Sequence, residues 1–168
     1  MPDPLLVIAY FFHLVATVVW IGGLVLLALV VWPASQRILG DDPRLPGLLA
    51  ALRRRFTPLA NLSLAVLVVT GLIQMAGDPN YDGLLIFDNL WSQAILLKHL
   101  AVGGMIVVAV VLQWGVFPAQ ERAALLRAQG KAPSGEAERL ARRERQLYLA
   151  SVALSVVVLG FTALATAL

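Results

Sequence analysis

The sequence contains no cysteine and only two histidines in 168 residues. The missing thiols exclude disulfides, thiolate metal sites, iron–sulfur clusters and covalently attached c-type haem. Charged residues are scarce at 14% of the chain, whereas 60% of the residues are hydrophobic. With a mean hydropathy of +0.82, the composition lies outside the range of soluble globular proteins.

Long apolar segments occupy most of the chain. A helix needs about 20 mainly apolar residues to cross the bilayer core. Four segments satisfy this requirement: residues 4–32, 57–76, 91–117 and 147–167. The first is too long for the core of a signal peptide, so we expect it to be a permanent helix. The sequence therefore predicts an all-α integral membrane four-helix bundle, organised as a single transmembrane domain over residues 1–168.

Prolines are expected to set the helix ends. Pro33 and Pro118 follow the first and third apolar segments and should end those helices. Thr57 and Pro58 suit the cap and first turn of the second helix.

Basic residues show on which side the loops lie. Twelve of the thirteen lysines and arginines are in the loops after the first and third segments, and the exception is Lys98. The positive-inside rule places these two loops in the cytoplasm and both chain ends outside (N-out/C-out). We expect a multi-pass protein of the bacterial cytoplasmic (inner) membrane, with membrane lipid and no nucleic acid among its partners.

Both histidines fall inside predicted membrane helices that enter from the same side. His13 lies nine residues after Pro4, and His99 lies eight after Trp91. At about 1.5 Å per residue, both are roughly 12–14 Å from the outer helix end. Two imidazoles at one depth can hold a planar haem between two helices. The alternative is that each histidine makes a hydrogen bond to a neighbouring helix.

Residues near the histidines complete the predicted cofactor site. Thr17 and Trp20 share a helix face with His13, and Gly103 lies one turn below His99, where a flat ligand could approach the backbone. Lys98 either pairs with a haem propionate or an anionic substrate, or extends to the outer headgroups.

Two polar stripes are expected to face the bundle interior and make interhelical hydrogen bonds. One lies on the second helix and the other on the fourth. Their members are Ser63, Thr70 and Gln74, and Ser151, Ser155 and Thr162.

Copper is the alternative ligand to haem, with His13 and His99 as its metal ligands. Soft copper sites in membranes use cysteine and methionine, and besides the initiator the chain has only Met75 and Met105. A second alternative is an accessory structural subunit of a larger membrane complex. No Ser-His-Asp set, paired intramembrane carboxylates, phosphate-binding loop or zinc motif points to hydrolase chemistry.

Several of these segments resemble two related membrane families, the copper resistance D family (CopD) and the protoporphyrinogen oxidase family HemJ. The resemblance extends over about residues 8–117 and rests on four stretches. They are Phe-His-Leu at residues 12–14, Val-Trp-Ile-Gly-Gly-Leu at 19–24, the second-helix stretch from 55–60 to 70–72, and Leu-Leu-Lys at 96–98. Resemblance to HemJ implies a b-type haem, oxidoreductase activity, a ligand role for His13 and a functional Lys98. Resemblance to CopD implies copper handling.

The leading prediction is a haem b-binding membrane redox protein of the cytochrome b kind, with His13 and His99 as axial ligands between the first and third helices. Ligation by two histidines favours electron transfer over oxygen binding. A membrane quinone, a periplasmic electron carrier or a porphyrinogen is the expected redox partner. A homo-oligomer and a larger membrane complex are both compatible with the sequence.

Overall fold

A computed structural model describes residues 3–40, 42, 44–81, 83, 86, 88–131 and 135–168. Four of its helices are long and apolar enough to cross a membrane, and no strand occurs among these residues. The helices are α1 (Pro4–Leu39), α2 (Leu45–Ala76), α3 (Leu90–Ala128) and α4 (Glu136–Ala167). The predicted all-α fold with four membrane-length helices is confirmed, and the chain is a multi-pass membrane protein. The N-out/C-out orientation stays a prediction.

Two prolines that were expected to end helices lie inside them. α1 continues through Pro33 to Leu39, and α3 continues through Pro118 to Ala128. The prediction that these prolines terminate the helices is therefore wrong.

Wider helical turns explain why these prolines are tolerated. The six residues before each aromatic–proline pair, Leu26–Val31 and Val111–Val116, form π-helical turns. There the Trp32 amide donates to the Leu27 carbonyl, five residues back along the chain. A regular α-helix would bring the proline ring against the carbonyl four residues back, and the wider turn changes that spacing.

The second helix also differs from its predicted start. α2 begins at Leu45 rather than at Thr57, and Pro58 lies within it. Pro58 has no amide hydrogen to donate to the carbonyl four residues back, that of Arg54. Arg54 lies in the exposed, basic part of the helix.

The described chain divides into two compact units, Met1–Ile86 and Phe87–Leu168. The first unit is the α1–α2 hairpin and the second is the α3–α4 hairpin, and each begins with a capped helix. Asp3 accepts the Leu5 amide at 2.8 Å, and Asn89 accepts the Ser92 amide at 2.7 Å. The single transmembrane domain over residues 1–168 stays a prediction.

Close helix approach in the first hairpin depends on two glycines. A Cβ atom on Gly77 would lie 2.7 Å from Leu6 Cδ2, and one on Gly23 would lie 2.6 Å from Phe56 Cζ. With the side chains of Leu6 and Phe56 in these positions, neither glycine has room for a Cβ atom. Small residues at such contacts are the usual way for membrane helices to pack closely.

Polar contacts join the helices of the second hairpin. The Ser155 hydroxyl donates to the Ser151 carbonyl of its own helix at 2.8 Å and lies 3.8 Å from the Met105 sulfur of α3, which places this member of the predicted α4 stripe in the hairpin interior. Gln120 donates to the Glu144 carboxylate at 2.8 Å, and Glu144 is only 1% exposed. Buried charges are normally held by such partners.

Candidate functional site

The best-defined polar site lies in the first hairpin, where His13 of α1 meets Thr70 of α2. Their side chains are joined by a hydrogen bond of 2.9 Å between His13 Nδ1 and Thr70 Oγ1. Thr70 is 8% exposed, and His13 is half-buried. Thr70 belongs to the predicted interior stripe of α2, and the contact confirms that this stripe makes interhelical hydrogen bonds.

The hydrogen bonds of Thr70 assign the tautomer of His13. The Thr70 hydroxyl has one proton, which it donates to a carbonyl of its own helix, that of Val66 at 2.6 Å. Its oxygen must then accept from the histidine, so His13 Nδ1 carries the ring proton. The lone pair of a neutral His13 consequently lies on Nε2, the ring nitrogen that faces away from the Nδ1 contact with Thr70.

Small and polar residues of α2 surround this contact. A Cβ on Gly71 would lie 3.5 Å from His13 Cε1, so the glycine backbone lies beside the imidazole ring. One turn along α2, the Gln74 amide donates to the Ala9 carbonyl at 3.3 Å. The polar stripe of α2 thus fixes the ring and the helix turn that precedes it.

The other predicted residues of α1 support the helix rather than the ring. The Thr17 hydroxyl donates to the His13 carbonyl at 2.8 Å, an i→i−4 bond within α1. Trp20 is buried at 5% exposure and belongs to the hairpin core.

The remaining predicted site residues belong to the second hairpin. His99 is exposed, and its Nδ1 donates to the Ile95 carbonyl of α3 at 2.7 Å. Lys98 is half-buried, and a Cβ on Gly103 would have no neighbour within 4 Å. The pairing of His13 with His99 across one ligand stays a prediction, because each hairpin is a separate unit.

Conventional metal clusters do not occur in the part of the chain that the structure describes. No group of three or more histidine, cysteine, aspartate or glutamate side chains could hold an ion there. A permanent zinc-type centre, which needs three or four such ligands, does not fit these residues.

Two features of the site were not predicted from the sequence. The partner of His13 was not identified as Thr70, and the burial of Glu144 in the second hairpin was not predicted. The dipeptide Thr70-Gly71 was the available signal, because a small residue beside a hydroxyl allows an aromatic ring to approach.

Replacing Thr70 by valine should weaken metal binding at His13 without unfolding the hairpin. Valine retains the volume but cannot accept the Nδ1 proton, so the imidazole loses its orientation and its fixed tautomer. Loss of such an outer partner lowers metal affinity by about 10–100-fold and stability by about 1 kcal/mol. Titration of the purified variant with copper(I) measures the first effect. Thr17→Val is the control, because among the described residues the Thr17 hydroxyl bonds only to the α1 backbone, and it should bind copper like wild type.

Comparison with known families identifies a match over most of the chain. The model of a family described as copper resistance protein D (CopD) matches residues 50–165. These residues include Thr70 and the Lys98–His99 pair, whereas His13 precedes them. No curated protein and no solved structure matches the chain. Because the match covers more than half of the sequence, the chain belongs to the copper resistance protein D family.

Proposed function

We propose that this membrane protein handles copper as its cargo, with His13 as a nitrogen ligand inside the first hairpin. The observation that carries the proposal is the 2.9 Å bond that holds His13 Nδ1 on Thr70. It fixes the orientation of the His13 imidazole within an apolar helix pair. Membership of the CopD family supports copper as the ion.

The ligand chemistry favours a copper(I) ion that binds transiently, and not one that is permanently bound. Copper(I) is soft and accepts few ligands of the imidazole and thioether types. The described residues offer such ligands singly and contain no cluster of three or more. Met75 lies one residue beyond Gln74 on α2, and Met105 is buried in the second hairpin at 1% exposure. A site with few ligands binds the ion weakly enough to release it, as transport or transfer of copper requires.

Cellular copper measures this function. Cells that express the wild-type chain should differ from vector controls in cell-associated copper and in growth on added copper. His13→Ala should remove the difference, and His99→Ala should retain it. Equal copper contents in wild-type and vector cells, at confirmed membrane expression, would refute copper handling.

A b-type haem is the second candidate, and one observation favours it. His99 also holds its Nδ1 proton on a carbonyl, that of Ile95. His13 and His99 therefore share the tautomer in which Nε2 can bind haem iron. In this function the chain would be an oxidoreductase or electron carrier, with a quinone, a periplasmic carrier or a porphyrinogen as partner. An absorption spectrum with reduced α and β bands, lost in both histidine variants, would establish haem in place of copper.

The bacterial inner membrane is the proposed location for either function. The basic loops after α1 and α3 support an orientation with both ends outside. His13 would then lie in the outer half of the bilayer, where it can exchange copper with the outer compartment.

A further inference from the structure

The first helices of the two hairpins repeat one another at a constant spacing of 85 positions. The first signal is a sequence motif at the inner end of each helix, which reads Val-Trp-Pro-Ala-x-x-Arg and Val-Phe-Pro-Ala-x-x-Arg. It covers residues 31–37 in α1 and residues 116–122 in α3.

Backbone geometry repeats at the same spacing. The π-helical turns before the motif, Leu26–Val31 and Val111–Val116, correspond residue for residue. The amide of Trp32 donates to Leu27, and the amide of Phe117 donates to Leu112 in the same five-residue pattern. A π-helical turn is rare, and its recurrence at matched positions extends the repeat beyond the sequence motif.

Burial repeats as well, over the outer half of the two helices. Three buried positions of α1 each have a buried counterpart 85 residues later in α3. The pairs are Ala9 (3% exposed) and Ala94 (3%), Ala16 (4%) and Ala101 (5%), and Trp20 (5%) and Met105 (1%).

This register makes Lys98, and not His99, the counterpart of His13. Both His13 and Lys98 are half-buried. His99 corresponds to Leu14, which is 65% exposed, and His99 is exposed too. The position at which the first hairpin presents an imidazole therefore carries an ammonium group in the second hairpin.

Lys98 has no counter-charge among the described residues of its own hairpin. No hydrogen bond or ion pair joins it to any described residue of the second hairpin. The sequence places no aspartate or glutamate between residues 89 and 120, or between 145 and 168. The preceding acidic residue on this chain, Asp88, is ten positions earlier and precedes α3, whose first residue, Leu90, is itself about 12 Å along the helix from Lys98. A cation in a membrane helix without such a partner is expected to meet an anion from outside the chain.

We propose that Lys98 marks an anion site in the second hairpin, at the position that His13 occupies in the first. The ligand is an anionic oxygen group, a carboxylate or a phosphate. It comes either from an anionic lipid headgroup or from a soluble anion. The site is independent of copper binding, because it depends on the charge of Lys98 and not on His13.

Thermal unfolding of the purified full-length chain in neutral detergent tests the site. The added probes are phosphatidylglycerol, phosphatidylcholine, inorganic phosphate and acetate, each over a concentration series. Wild type should be stabilised by at least one anionic probe and not by phosphatidylcholine. In Lys98→Gln, the probe concentration that gives half of the stabilisation should rise about tenfold or more. Lys98→Arg should respond like wild type because the positive charge remains. Lys131→Gln, at an exposed loop lysine, is the matched control and should respond like wild type.

The probes also identify the source of the anion. Stabilisation by phosphatidylglycerol alone assigns a lipid headgroup, and stabilisation by phosphate or acetate assigns a soluble ligand. Equal responses of wild type and Lys98→Gln to every probe would overturn the proposal. If Lys98→Gln fails to fold, Lys98→Arg provides the test. The proposal would be overturned if the anionic probes stabilised Lys98→Arg no more than phosphatidylcholine does.

Discussion

Replacement of His13 by alanine is expected to abolish copper(I) binding by the purified protein. His13 supplies the oriented imidazole of the first hairpin, held by Thr70 at 2.9 Å. Loss of an outer partner such as Thr70 costs about 10–100-fold in metal affinity, so loss of the ligand itself should cost more than about 100-fold. Competition with a chromophoric copper(I) chelator under anaerobic conditions measures the Kd.

Two variants show whether this effect is specific. His99→Ala removes an imidazole that is exposed and bonded to its own helix, so its copper affinity should stay within a few-fold of wild type. Thr70 should retain its bond to Val66 in His13→Ala, and the hairpin should remain folded. Undiminished copper binding by His13→Ala would show that the ligand lies elsewhere.

The second large effect is expected at Gly23, where alanine should destabilise the first hairpin. The new Cβ would meet the Phe56 ring, with Cζ at 2.6 Å. Either the ring must turn away or the helices must separate, and overpacking of this kind costs about 1–3 kcal/mol. Unfolding in mixed micelles with increasing dodecyl sulfate measures the change in the free energy of unfolding.

The adjacent glycine provides the control for this prediction. A Cβ on Gly22 would have no neighbour within 4 Å, so Gly22→Ala should be neutral or slightly stabilising through helix propensity. Phe56→Ala should lower the free energy of unfolding less in the Gly23→Ala background than in wild type, because the smaller side chain also removes the clash with the new Cβ. Equal stabilities of Gly22→Ala and Gly23→Ala would contradict the packing of α1 against Phe56.

The fold could be predicted because segment length and hydropathy determine which parts of the chain can cross a bilayer. The helix ends could not, because they depend on hydrogen-bond spacing. Pro33 and Pro118 end helices only if the preceding turns are regular, and here those turns are π-helical. Pro58 was also misplaced, because α2 continues through this exposed proline.

The site was predicted in its composition and not in its pairings. His13 was identified because an ionisable group in an apolar membrane helix is costly and usually has a function. Thr70 was identified because it belongs to a polar stripe. That these two meet depends on the vertical register of α1 against α2, which periodicity alone leaves open. The sequence nevertheless contained the repeat at Pro33 and Pro118, which aligns Lys98 with His13 and His99 with Leu14.

Metal analysis and an absorption spectrum of one detergent-purified sample test the central claim most directly. The sample is dialysed to equilibrium against buffered copper(I) under anaerobic conditions and compared with His13→Ala treated in the same way. We expect a colourless wild-type protein that binds copper above the level of the dialysis buffer and a His13→Ala protein that does not. A wild type that carries haem, or equal copper in the two proteins, would contradict the assignment of His13 as a copper ligand.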